Sequence, residues 1–298
     1  MILFSGTSNP LLSKEIADLL GVSLGNVEVT RFIDSECRVR ILDDVKDQDV
    51  YVLQSLSQIA DQHLVELCLF ATALKSLGAK TVTAVIPWMG YSKQDKSFRK
   101  GEAVSVQLVA KVIEVAGFDR VICCELHSET VIPYFAIPVT ELSTQELLAS
   151  ARGPLAECVV ASPDTGGKSR SNAFAKHISA PIVYLEKQRN YDTGHVSVTG
   201  IAGDVKGKTV VIFDDIINTG ATAVETSAFV KKNGATRVLF LATHAVFAGD
   251  AVSALTHSTI DHVIVTDTIT IAKEKQFPTL TIVSVSSLLA TAISGKIR

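Results

Sequence analysis

Nowhere does the chain carry the run of about 20 apolar residues that a membrane span needs, so no transmembrane segment is expected. The opening Met-Ile-Leu-Phe-Ser-Gly has neither a basic flank nor a long apolar core, so no signal peptide is expected either. There is no excess of positive charge: 28 Lys and Arg against 31 Asp and Glu leave a formal charge of -3, which argues against a nucleic-acid binder and its basic patch. The five cysteines are scattered and form no Cys-x-x-Cys or His/Cys spacing that would suggest zinc. Cys123 and Cys124 sit inside an apolar run, and the plain reading is of buried, reduced thiols in a cytoplasmic protein. A Pro/Gly/Ser-rich linker is also missing, although 298 residues allow two domains of ordinary size. Two domains without a loose linker imply a fixed interface, a good place for a site.

What the chain does have is apolar content, 47% of its residues, with a mean hydropathy of +0.31. This suits sheets buried on both faces, and apolar strands alternate with helical patterns throughout. In the first half, strands are expected at Ile2–Ser5, Asn26–Thr30, Cys37–Leu42, Val50–Leu53, Thr81–Ile86 and Arg120–Cys124, with helices from Ser8-Asn-Pro10 to Leu20, at Asp61–Leu77 and at Ala103–Ala116. In the second, strands are expected at Cys158–Ala161, Pro181–Leu185, Val196–Thr199, Thr209–Phe213, Arg237–Thr243, His262–Thr266 and Thr281–Val285, with helices at Ser143–Ser150, Lys168–His177, Ala223–Lys232, near Asp250–Leu255 and at Ser286–Ser294. The pattern predicts two α/β domains, residues 1–142 and 143–298, each a mainly parallel sheet flanked by helices, with no residue-level repeat between them.

One stretch organises the rest, Thr209-Val-Val-Ile-Phe-Asp-Asp-Ile-Ile-Asn-Thr-Gly-Ala-Thr222. It reads as a buried strand, an acidic edge at Asp214 and Asp215, a small-residue loop at Asn218, Thr219, Gly220, Ala221 and Thr222, and a helix N-terminus. Ligands of open α/β sheets bind outside the carboxyl ends of the strands. A Thr/Gly/Ala loop entering a helix can aim amides and hydroxyls at a phosphate, and the helix dipole assists. Adjacent carboxylates cannot bind that phosphate but can accept hydrogen bonds from sugar hydroxyls. A phosphate cradle beside a diol acceptor describes a sugar phosphate. The plain alternative, a strand-to-helix turn, needs one Asp, not two followed by Thr-Gly-x-Thr.

Other stretches are weaker singly. Val159-Val-Ala-Ser-Pro-Asp164-Thr-Gly-Gly-Lys-Ser-Arg170 again runs from a strand through a carboxylate and a Gly-rich turn into a helix, as many ordinary turns do. His127 lies just past a buried strand, where a lone histidine can be purely structural. Lys93 and Gln94 lie in a polar loop, and Asp34, Ser35 and Glu36 in an acidic turn that reads most simply as a hairpin connection. Lys187 and Arg189 follow a strand in a loop before Asp192-Thr-Gly194. They can close over phosphates or simply be solvated.

Taken in order, these stretches resemble the ribose-phosphate diphosphokinase family over nearly the whole chain. Phe4-Ser-Gly-Thr-Ser-Asn-Pro10 is similar to that family's opening loop, Phe32-Ile-Asp-Ser-Glu36 to its F-x-D-G/S-E turn, and Tyr91-Ser-Lys-Gln-Asp95 to its Y-x-R-Q-D loop. Glu125-Leu-His127 resembles its D-L-H segment, Ser162-Pro-Asp164-Thr-Gly-Gly167 its S-P-D-x-G-G, and Lys187-Gln-Arg189 its Lys-x-Arg flexible loop. Plain phosphoribosyltransferases share the Asp214–Thr222 loop but not these other stretches. The chain departs from the family at Lys93, which replaces Arg and exchanges a planar fork for a point charge, at Glu125 for Asp, and at Asn218 and Ala221.

The resemblance implies two tandem phosphoribosyltransferase-type domains with the site between them. It implies transfer of the diphosphoryl group of Mg-ATP to the C1 hydroxyl of ribose 5-phosphate, giving 5-phosphoribosyl 1-diphosphate and AMP for nucleotide biosynthesis. It assigns Lys187 and Arg189 to catalysis, and Asp34, Ser35, Glu36, Lys93 and Gln94 to ATP. It assigns Arg189, Asp214, Asp215, Asn218, Thr219, Gly220, Ala221 and Thr222 to ribose 5-phosphate, and His127 and Asp164 to Mg²⁺. It further implies a homo-oligomer. Two rival readings stay open from the residues: a phosphoribosyltransferase that consumes the diphosphate, and a non-catalytic regulatory homologue.

Overall fold

The computed structural model of the chain describes residues 1–155, 157–163, 167–189 and 196–295, with residues 187–189 and 196–197 described by backbone alone. It divides into two compact units. The first comprises Met1–Ser143, Thr268–Thr270 and Ser284–Arg298. Its sheet has five strands in the order β1 (Ile2–Ser5), β4 (Asp49–Leu53), β5 (Thr81–Ile86), β6 (Arg120–Cys124) and β7 (Val139–Leu142), and every neighbouring pair is parallel. β2 (Val27–Arg31) and β3 (Cys37–Ile41) form a separate antiparallel hairpin. Successive residues of a strand face opposite sides. Accordingly Phe4, Val50 and Val52 join the core with Leu67, Phe70 and Leu74 of helix α2 (Ala60–Ser76) and Val106, Val109 and Ile113 of α3 (Ser105–Ala116). Helix α1 (Pro10–Leu20) starts where Asn9 accepts from the Leu12 amide and Pro10 takes the first turn, and it stops at Gly21 in the left-handed conformation. It packs on the last helix, α8 (Ser286–Ile293), and Ser284 donates to Glu15 at 2.6 Å.

The second unit comprises Thr144–Asp267 and Ile271–Val283. Its seven-stranded sheet runs β10 (Val196–Ala202), β9 (Ile182–Arg189), β8 (Cys158–Ser162), β11 (Thr209–Ile217), β12 (Arg237–Ala245), β13 (His262–Thr266) and β14 (Leu280–Val283). Of the pairs in this sheet, β9–β10 is antiparallel and the others are parallel. Val160, Val211, Phe213, Leu239 and Ile264 cover one face with Phe174 of α5 (Lys168–His177) and Leu148 of α4 (Gln145–Ala151). Val159, Val210, Ile212, Val238 and Phe240 cover the other with Ala223 and Val230 of α6 (Ala221–Lys232) and Leu255 of α7 (Ala251–Thr256). Burial on both faces is why these strands read as unbroken apolar runs. From β8 the chain winds outward one way through α5 to β9, and from β11 the other way through α6 to β12. The winding therefore reverses between β8 and β11, and a doubly wound sheet opens its ligand crevice at the carboxyl ends of such a strand pair.

The elements follow the expected alternation, with three instructive differences. β11 continues past Phe213 to Ile217, because β12 keeps pairing with it as far as Ile217 opposite Ala245. β9 continues past Leu185 to Arg189, because β10 pairs with it antiparallel, Val198 opposite Lys187 and Val196 opposite Arg189. Lys187 and Arg189 thus lie on a strand, not in a loop. β7, with no long apolar run, is a short edge strand on β6.

Candidate active site

The acidic pair sits within β11, in the part that has outrun β8, whose pairing ends at Ile212 opposite Ala161. Asp215 is 2% exposed. By the two-residue period it shares the face of Val211 and Phe213, the face covered by α5. Phe213 stacks on Phe174 of α5, with ring centroids 4.4 Å apart and planes 6° from parallel. Arg170 is four residues before Phe174, one turn earlier on the same helix face. Its Nη1 therefore meets Asp215 Oδ1 at 2.8 Å and Asp214 Oδ1 at 3.3 Å. Asp214 Oδ1 also accepts from the Asp215 amide at 2.9 Å. In the sequence Arg170 closes the Val159 stretch and carries no assigned role. Its only signal was a position three residues after Gly167, in the first turn of the helix that follows the Ser162-Pro163 strand end.

Beyond β11 the loop is three residues long, Asn218, Thr219 and Gly220. The Asn218 carbonyl accepts from the Ala248 amide at 2.9 Å, and that of Ile217 from Val246 at 3.0 Å, so the loop entrance is held by backbone. Gly220 has φ +78°, a left-handed conformation that turns the chain directly into α6. Among the described residues no side chain caps that helix. Its first amides, at Ala221, Thr222 and Ala223, lie where a helix offers no carbonyl to receive them. Thr219 and Ala221 are exposed and Asn218 and Thr222 half-buried, so the segment faces solvent with amides and hydroxyls. All five expected phosphate-loop residues are thus adjacent to the acidic pair in one strand–loop–helix unit.

In the first unit, Asp34, Ser35 and Glu36 form the exposed tip of the β2–β3 hairpin. The Phe32 amide donates to Glu36, the Ser35 amide to Phe32, and the Glu36 amide to Asp34 Oδ1 at 3.2 Å. Arg31 Nη1 donates to the Ser35 carbonyl. The tip is therefore an ordered, exposed turn.

Lys93 and Gln94 lie in the segment between β5 and α3. Gly90 there rests on the backbone of the segment after β4: a Cβ at this position would stand 2.3 Å from the Leu56 carbonyl oxygen. Tyr91 OH bonds Asp61 of α2, and Gln94 Oε1 accepts from Ser105 Oγ at 2.6 Å. The next residue, Asp95, is buried, accepting from Thr130 Oγ1 at 2.8 Å. His127 lies three residues beyond β6 and is half-buried. Glu125 between them is buried and accepts from Ser143 Oγ at 2.7 Å.

Asp164 lies outside the described residues, as do the side chains of Lys187 and Arg189 and the Asp192-Thr-Gly194 stretch. Among the described residues no three His, Cys, Asp or Glu side chains are grouped to hold a metal ion, and no helix is long and apolar enough to cross a membrane.

Comparison with known proteins covers both units. Residues 1–117 match the N-terminal domain of ribose phosphate pyrophosphokinase, and residues 158–297 match the phosphoribosyl synthetase-associated domain. Ribose-phosphate pyrophosphokinase 1, chloroplastic, of Arabidopsis thaliana is 41% identical over 298 residues, 98% of this chain and 73% of the relative. The ribose-phosphate pyrophosphokinase of Bacillus subtilis (strain 168) is 38% identical over 293 residues, 98% of this chain and 92% of the relative. The crystal structure of phosphoribosylpyrophosphate synthetase from Mycobacterium smegmatis superposes with a TM-score of 0.93 at 33% identity, covering 99% of this chain and 98% of that one. With both halves matched and the whole fold superposed, the chain belongs to the ribose-phosphate pyrophosphokinase family, transferases of nucleotide biosynthesis with a phosphoribosyltransferase-type fold.

Proposed function

We propose that the protein transfers the intact β,γ-diphosphoryl group of Mg-ATP to the C1 hydroxyl of ribose 5-phosphate, releasing AMP, in the cytoplasm and as a homo-oligomer. The observation that carries the sugar-phosphate half of this reading is the β11–loop–α6 unit, and membership of the pyrophosphokinase family over both halves of the chain supports the diphosphoryl half. An amide- and hydroxyl-lined helix entrance suited to a phosphate stands directly after two carboxylates suited to a diol.

In this reading Asn218, Thr219, Gly220, Ala221 and Thr222 hold the 5-phosphate. Asp214 and Asp215 orient the ribose, and Asp34, Ser35, Glu36, Lys93 and Gln94 hold the nucleotide. The C1 oxygen attacks the β-phosphorus in line as its hydroxyl proton passes to solvent, the bond from that phosphorus to the α,β-bridging oxygen breaks, and AMP leaves with that oxygen. Phosphoryl chemistry of this kind is positioning and charge stabilisation. Lys187 and Arg189 meet the charge that grows between the β-phosphoryl group and the leaving α-phosphate, and Arg189 also contacts the sugar phosphate.

The donor set suits a cation carried by the nucleotide. Mg²⁺ prefers oxygen and keeps much of its water, so His127 and Asp164 would bind or orient it, directly or through water. Bound there, the ion would neutralise part of the triphosphate charge. Purified protein given Mg-ATP and ribose 5-phosphate should release AMP only when both are present. ADP as the product would make a simple γ-phosphoryl kinase the better reading, and AMP formation from phosphoribosyl diphosphate and a nucleobase would favour a phosphoribosyltransferase.

A further inference from the structure

We infer that Arg170 is a positioning residue for the sugar phosphate: it makes an acidic pair compatible with a phosphorylated ligand. The inference rests on the proposed binding of ribose 5-phosphate at β11 and α6. Two adjacent carboxylates stand a few residues before a loop suited to a phosphate, and at neutral pH that phosphate carries close to two negative charges. Left bare, the pair would repel the ligand it is meant to orient, and the repulsion is strong where burial limits screening.

Arg170 meets both carboxylates. Nη1 lies 2.8 Å from Asp215 and 3.3 Å from Asp214, and the three side chains are 17%, 3% and 17% exposed for Arg170, Asp215 and Asp214 respectively. The guanidinium charge offsets part of the negative charge of the pair. The guanidinium also fixes the direction of each carboxylate. Asp215 is almost wholly buried, and Asp214, at 17% side-chain exposure, is the less buried member of the pair.

The register that brings Arg170 there is built into the packing. Phe174 stacks on Phe213 one helical turn and one strand period below the Arg170–Asp215 contact, so helix and strand are locked in step. A lysine in place of Arg170 could supply the charge, but its nitrogen, on a flexible stem, would not be held in the same place between the two carboxylates.

The test compares wild type, Arg170→Met, Arg170→Lys, Asp215→Asn and the Arg170→Met/Asp215→Asn double variant. Titration calorimetry with ribose 5-phosphate is run beside steady-state kinetics, with circular dichroism to confirm folding. Losing a hydrogen bond to a charged group costs roughly ten- to a hundredfold, so Arg170→Met should weaken ribose 5-phosphate by about that factor while KM for ATP stays within about threefold. Arg170→Lys should fold and recover part of the loss. The double variant should bind ribose 5-phosphate at least as well as Arg170→Met, because removing one carboxylate charge removes the repulsion that Arg170 offsets. Equal damage to both substrates, or additive losses in the double variant, would overturn the inference. So would an Arg170→Lys protein as impaired as Arg170→Met, and so would an unfolded Arg170→Met beside a folded, fully active Arg170→Lys. Wild type that fails to bind ribose 5-phosphate at all would instead overturn the functional reading, and this inference with it.

Discussion

In the proposed reading, Asp214 and Lys187 separate binding from catalysis at the level of single side chains. Asp214, partly exposed beside the phosphate loop, is expected to contact ribose hydroxyls before and after reaction alike. Asp214→Asn keeps the size and halves the accepting capacity. It should raise KM for ribose 5-phosphate by about ten- to a hundredfold and leave KM for ATP within a small factor. Equal rises for both substrates, measured in the same titration, would place Asp214 outside the sugar site. Lys187 is expected to act only as charge develops. Lys187→Ala should lower kcat and kcat/KM together by roughly a hundred- to a thousandfold, with substrate Kd values almost unchanged. A variant within about threefold of wild-type kcat would mark a solvated lysine. The two residues also differ from Arg170 in how they were legible. The Asp214-Asp215 doublet before Thr219-Gly220 carries its meaning in adjacent letters. Arg170 carries none, because its role depends on a helix face meeting a strand face 45 residues away in sequence.

Among the elements, β11 and α6 decide the geometry and α5 supports it. Gly220 turns between them at φ +78°, and a Cβ there would also come within 3.3 Å of Leu255 Cγ. Gly220→Ala should therefore cost on the order of 1–2 kcal/mol from the left-handed backbone alone. It should weaken ribose 5-phosphate more than ATP, because the strain falls on the phosphate loop. Thermal unfolding and KM for each substrate check both parts, and a Gly220→Ala protein as stable as wild type would show that the turn is not strained. Phe174 is buried and stacked on Phe213, so Phe174→Ala should cost about 3–5 kcal/mol in denaturant unfolding. If folding survives, the Arg170–Asp215 register should loosen and ribose 5-phosphate bind more weakly. A loss under about 1 kcal/mol would mean that α5 is held elsewhere.

The strands and helices were legible because burial on both faces leaves apolar runs, as in residues 210–213 and 84–86. Their ends were less so. Lys187 to Arg189 and Asp214 to Ile217 are strand because β10 and β12 offer backbone partners, and backbone pairing leaves no mark in side-chain polarity.

At the scale of the molecule, each unit builds its own core on a mainly parallel sheet, and in the second unit the winding reverses between β8 and β11. That reversal is a long-range fact that no local pattern carries, yet it places the carboxyl ends of β8 and β11 side by side. The same holds for the return of Thr268–Thr270 to the first unit, where Ser55 Oγ donates to the Thr268 carbonyl across 213 positions. The central claim concerns the whole catalyst: a diphosphoryl group moves intact. It is tested most directly by following ATP labelled in its γ-phosphate, with Mg²⁺ and ribose 5-phosphate present. The account predicts unlabelled AMP in equal amount to a labelled phosphoribosyl diphosphate that keeps the label in its terminal phosphate. Label recovered in a ribose bisphosphate alongside ADP, or in free phosphate without dependence on ribose 5-phosphate, would contradict it.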